Sequence, residues 1–172
     1  MLDKISNAYD RLISSYLRRF TPITAPGDWH LRLEWLPCGK PEVVYDIKYM
    51  KGTANIILTR FLESAWKKLW AAYREEKAKV SVQVEIGTME LPPEQSILKI
   101  VAEGLPRQCQ EYPTAALDGE QFRMTLWDKS GKYHVQVWEP YTRTDDFGPW
   151  IEIIDAIRGA AGLVQREFVA LS

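Results

Sequence analysis

Histidine and cysteine are scarce in this chain, with two of each in 172 residues. His30 and His134 stand far apart, so no His/Cys zinc spacing exists and no metal site is expected. Cys38 and Cys109 are equally well separated. They form no disulfide framework, and neither lies in a recognisable nucleophile motif. The glycine patterns that cradle phosphates, Gly-x-Gly-x-x-Gly and Gly-x-x-x-x-Gly-Lys-Ser/Thr, are absent, so no nucleotide cofactor is expected. No apolar run reaches the roughly 18 residues of a membrane span. Asp3, Ser6, Asn7 and Asp10 break up the basic-then-apolar order of a signal peptide. Charge of one sign is missing too: 22 Lys and Arg face 23 Asp and Glu, a net charge of −1. No long-range field then favours nucleic acid or an anionic membrane. These absences lead to the expectation of a cytoplasmic protein with reduced thiols, no catalytic residues and no cofactor.

Aromatic side chains, by contrast, are plentiful. Seven Trp and eight Tyr stand in a chain that is 46% hydrophobic, enough for one sizeable core and one domain spanning 1–172. Aromatics fill cores, and they also anchor interfaces.

The periodicity divides the chain into elements. Leu2, Ile5, Tyr9, Leu12, Ile13, Tyr16, Leu17 and Phe20 recur at helical spacing up to Thr21-Pro22. Trp29, Leu31, Leu33 and Trp35 alternate with His30, Arg32 and Glu34, which marks a half-buried strand. A second strand, Val43 to Tyr49, follows the turn at Pro37–Pro41. Pairing Leu33 with Val43 and Leu31 with Tyr45 puts both apolar sets on one face. From Thr53 a stripe of Ile57, Leu58, Phe61, Leu62, Ala65, Leu69, Trp70 and Tyr73 suggests a long central helix. Val80 to Ile86 reads as a third strand, and Pro92-Pro93-Glu94 opens a short helix that Gly104 to Pro106 stops. A second hairpin pairs Phe122, Met124 and Leu126 with Val137, Val135 and Tyr133, and a last helix starts near Pro149. The expected order is αββαβαββα. The fold class is α+β, a largely antiparallel sheet of about five strands packed against about four helices, with the helices mainly on one face.

The second hairpin carries the clearest functional signal, because both of its faces hold aromatic residues. Its outer face bears Arg123, Thr125, Trp127, His134, Gln136 and Trp138. The structural explanation is coverage by a loop or by the first helix. The functional one is a partner-binding patch, since Trp and Arg concentrate binding energy. Beyond it lie Tyr141, Arg143, Asp145 and Asp146. Asp145, Asp146, Glu152 and Asp155 gather around the start of the last helix, where the helix dipole alone favours acids, and their spacing matches no calcium loop.

Leu117-Asp118-Gly119, the hairpin, Trp138-Glu139-Pro140, the acidic loop and the closing amphipathic helix resemble a pattern in small bacterial α+β proteins over residues 117–168. Some of those proteins resemble immunity proteins of contact-dependent or type VI secretion systems. The resemblance implies a bacterial, non-enzymatic protein whose partner is a cognate toxin. The expected partner patch is Arg123, Trp127, His134, Trp138, Tyr141, Arg143, Asp145 and Asp146. One alternative is a small enzyme or ligand-binding domain with a pocket between sheet and helices, built on a buried polar cluster around Tyr45, Asp46, Glu85 or His134. Another is a homo-oligomer whose self-interface covers the Trp face.

Overall fold

A computed structural model describes residues 2–22, 28–75, 80–106, 119–142, 144–162 and 169–171. Helix α1 (Leu2–Phe20) is followed by strands β1 (Trp29–Pro37), β2 (Val43–Met50) and β3 (Thr53–Phe61). Then come helix α2 (Ala65–Arg74), strand β4 (Val84–Leu91) and helix α3 (Ser96–Glu103). Strands β5 (Glu120–Asp128) and β6 (Gly131–Trp138) lead through a 3₁₀ turn at Pro140–Thr142 into helix α4 (Thr144–Ala161) and the short strand β7 (Val169–Leu171). Every pairing is antiparallel, and the strands run β6-β5-β1-β2-β3-β4-β7 across one sheet. The α+β class stands.

The helices cover both faces of the sheet, where one covered face was expected. Leu31, Leu33, Ile47, Ile56, Phe122 and Met124 pack under α3 and α4, against Ile97, Trp150, Ile153, Ile154 and Ile157. On the opposite face Val44, Phe61 and Val84 pack under α1 and α2, against Tyr9, Ile13, Leu17 and Ala65. The sheet has seven strands where about five were expected, and the two additions are β3 and the short β7. A sheet covered on both sides has apolar residues at successive positions, and that explains β3. Residues 53–61 are strand β3, not the first half of a helix. Ala54, Ile56 and Leu58 enter one core while Phe61 enters the other, so the two sets together imitate a helical stripe. The local chemistry favours the strand. Thr53, Ile56, Ile57 and Thr59 are β-branched. Lys51 and Gly52 both take positive φ, 52° and 85°, as a tight two-residue hairpin requires.

The helical part of that stripe begins only at α2. Ser64 caps it through Lys67 N–H at 3.3 Å. Glu42, fully buried, accepts from the Ala65 and Trp66 amides at 2.9 and 3.3 Å and from the Tyr9 hydroxyl at 3.0 Å. One carboxylate thus ties α1 to the start of α2. Burial nonetheless pushes its carboxyl above the ordinary value, and these hydrogen bonds only partly offset the rise.

Other boundaries also move. The third expected strand begins at Val84 and runs on to Leu91, while the Val82 amide donates to the Tyr16 hydroxyl at 2.8 Å. Helix α4 starts at Thr144, so Pro149 lies inside it. In the first hairpin Leu33 pairs with Tyr45 and Leu31 with Ile47, two residues from the expected register. Each side chain keeps its face because the shift is even. The second hairpin has the expected register, with Leu126 opposite Tyr133, Met124 opposite Val135 and Phe122 opposite Val137. Its base closes at Gly119, which has φ +127° and whose carbonyl accepts from the Cys38 amide at 2.9 Å. A Cβ at Gly119 would run into the Glu139 side chain.

Candidate functional site

The face of the sheet beneath α1 is apolar toward β3 and β4 but polar toward β6. Alternation and register place His134, Thr125, Arg32 and Asp46 in one row across β6, β5, β1 and β2. The neighbouring row on the same face holds Lys132, Trp127, His30 and Lys48, and the next holds Gln136, Arg123, Glu34 and Val44. Helix α1 crosses only part of this surface, leaving a groove of about 450 Å³ between its Asp10–Ser14–Arg18 flank and the strands.

The floor of the groove rests on a buried ionic network. Asp46 is fully buried and accepts from Arg32 Nε at 2.8 Å and Nη2 at 3.2 Å. His30 Nε2 lies 2.6 Å from the same carboxylate. Arg32, 5% exposed, also donates to the Thr21 carbonyl at 2.6 Å and thereby holds the end of α1. A buried charge is tolerated when it is paired and its hydrogen bonds are met, and the Arg32–Asp46 pair meets that condition. His30 Nδ1 is buried with no hydrogen-bond partner among the described residues.

Trp127 roofs this network. Its ring centroid lies 5.2 Å from that of His30, the Arg32 guanidinium is 5.9 Å from it, and the Lys132 ammonium is 5.8 Å away. Arg123 spans the groove from the strand side. It binds Asp10 of α1 at 2.7 Å and approaches Glu34 at 4.0 Å. Burial raises the Glu34 carboxyl above its ordinary value, against the pull of Arg123 and Arg32. His134 Nδ1 lies 2.8 Å from the Thr125 hydroxyl. Arg18 and Lys132 are exposed and make no ion pair among the described residues.

The expected patch therefore divides. Arg123, Trp127 and His134 line the groove together, and Trp138, half-buried, sits two residues beyond Gln136 on the same face. Tyr141 belongs to the other side of the molecule. Its ring meets Phe122 edge-on at 6.1 Å, and its hydroxyl donates to Asp155 at 2.7 Å and lies 3.3 Å from Arg158. Arg143 lies outside the described residues, as do the side chains of Asp145 and Asp146, whose backbone forms the first turn of α4. Cys38 is exposed, and Cys109 lies outside the described residues.

The strand periodicity pointed His30, Arg32 and Glu34 toward solvent, whereas α1 and β5 enclose them. The groove's α1 residues, Asp10, Ser14 and Arg18, carry no signal in the helical periodicity, which reads only the apolar stripe of α1. The sequence does carry one signal for the buried network: Arg32 and Asp46 stand on adjacent strands of the first hairpin, both on the side its alternation assigns to solvent. Among the described residues no three His, Cys, Asp or Glu side chains gather closely enough to hold a metal ion. No described helix is long and apolar enough to cross a membrane. No protein-family model matches the chain, and no curated protein or solved structure is significantly similar to it.

Proposed function

We propose that this is a binding protein and that the groove between α1 and the β1-β5-β6 surface is its recognition site, with a segment of a partner protein as the occupant. The observation that carries the reading is the gathering of Trp127, Arg123, Lys132 and Arg18 along one open groove, backed by the Arg32–Asp46 network that keeps its floor rigid. Trp and Arg in a partly desolvated cleft are the side chains on which protein interfaces concentrate their energy. Small-molecule pockets are largely apolar and enclose most of the ligand. This groove is mostly polar and partly open to solvent, which suits a protein segment better. The partner class that agrees with the sequence resemblance is a bacterial toxin, blocked by occlusion, a mechanism that requires no catalytic side chain.

A second reading, a ligand-binding domain, draws on the buried cluster at Asp46 and on the groove's position between a helix and the sheet. The two separate by capture from the native host with tagged wild type, Trp127→Ala and Tyr141→Ala, the last altering the opposite side of the molecule. The protein-binding reading expects one protein at equal stoichiometry with wild type and Tyr141→Ala, lost with Trp127→Ala. No capture by wild type, or equal capture by Trp127→Ala, refutes it. A small molecule that raises the melting temperature while no protein co-purifies establishes the second reading instead.

A further inference from the structure

The charges inside the groove are unequally matched, and the mismatch indicates what binds there. Arg32 is neutralised by Asp46, and Arg123 lies between Asp10 and Glu34. Arg18 on the helix wall and Lys132 on the strand wall are left without a counter-ion among the described residues. Two exposed cations therefore flank a floor whose own charges are already paired. Building on the protein-recognition reading, we infer that the segment occupying the groove is an acidic peptide stretch whose carboxylates pair with Arg18 and Lys132.

Two features favour an acidic peptide over a nucleic-acid strand. Single-stranded nucleic acid needs open aromatic faces on which bases stack. Trp127, the aromatic ring in the groove, is already flanked by His30, Arg32 and Lys132. The groove also carries Asp10 and Glu34. Both are paired with Arg123, and their remaining lone pairs can accept hydrogen bonds from the amide N–H groups of a peptide, donors that a phosphate backbone lacks. A peptide alternates N–H donors with acidic side chains, so it complements both the cations and the carboxylates.

The test is an NMR titration of the full chain at low salt, with blocked hexaglutamate as the probe and hexalysine and octathymidylate as controls. Hexaglutamate should shift the Trp127 indole and the amides of β5, β6 and the α1 flank saturably, and added salt should weaken it. The variant Arg18→Glu/Lys132→Glu changes two exposed side chains and should keep a dispersed, folded spectrum. It should bind hexaglutamate at least about tenfold more weakly, because like charges now face each other, and should gain affinity for hexalysine. No shift in the groove, unchanged affinity in the variant, or tighter binding of octathymidylate overturns the inference. If Trp127→Ala abolishes partner capture while hexaglutamate fails to bind, the recognition site stands and its acidic specificity falls.

Discussion

Asp46→Asn isolates the electrostatics beneath the groove, because the side chain keeps its shape and loses only its charge. In the native protein Asp46 is fully buried and holds Arg32 at 2.8 and 3.2 Å and His30 at 2.6 Å. The variant leaves the Arg32 guanidinium, 5% exposed, without an anion. Breaking a buried pair from one side costs about 3–5 kcal/mol. Arg32 retains the Thr21 carbonyl at 2.6 Å, so the low end, about 3 kcal/mol, is expected. For a chain of this size that is roughly a 10 °C drop in Tm, and a large share of a total stability of about 5–15 kcal/mol. Urea unfolding followed by Trp fluorescence and circular dichroism gives the change, with the denaturant slope unaltered. The triple variant His30→Leu/Arg32→Met/Asp46→Leu removes every ion at once and should recover most of the loss. If Asp46→Asn lies within about 1 kcal/mol of wild type, or the triple variant is less stable than the single one, the network does not support the groove as argued.

Glu42→Ala removes the acceptor for the Tyr9 hydroxyl and for two amides of α2, and should lower stability by about 2–3 kcal/mol in the same unfolding assay. Gly119→Ala should cost about 1–3 kcal/mol in thermal melts, since φ +127° and the Glu139 side chain both oppose a Cβ. Glu34 predicts a pH dependence. Its carboxyl is raised by burial, so the folded state binds the proton more tightly than the unfolded chain. The resulting stability is fully present below the unfolded value of about 4.3 and is lost as pH rises through the raised folded value. Glu34→Gln should therefore flatten the decline of the urea midpoint above that pH, and an unchanged profile would contradict the shift. Trp127→Ala should weaken partner binding by about 2 kcal/mol in calorimetry while leaving the fold intact by circular dichroism.

The second hairpin was legible from residues alone because its alternation and its short turn agree. Asp128 in that turn accepts from the Ser130 and Gly131 amides at 2.7 and 3.1 Å, which fixes the register locally. The first hairpin was legible in its faces but not in its register, since the turn after Pro37 is longer and an even slip preserves every face. Strand β3 was missed because burial on both faces removes the alternation that identifies a strand, although Lys51-Gly52 marked the turn. The groove was half legible. Trp127, Arg123 and His134 stood out as an outer face richer in aromatics than solvent exposure requires. Asp10 and Arg18 reach that face through packing between distant parts of the chain, which periodicity does not encode. Tyr141 lies close to the hairpin in sequence, yet the 3₁₀ turn at Pro140–Thr142 carries it around to α4.

The most direct test of the recognition site is hydrogen–deuterium exchange on the complex captured from the host, compared with the free protein. Slowed exchange in β5, β6 and the Asp10–Arg18 flank of α1, with α4 and the Tyr141 turn unchanged, is the predicted footprint. Protection confined to α4 and the Tyr141 side, with the groove strands exchanging as in the free protein, would contradict it.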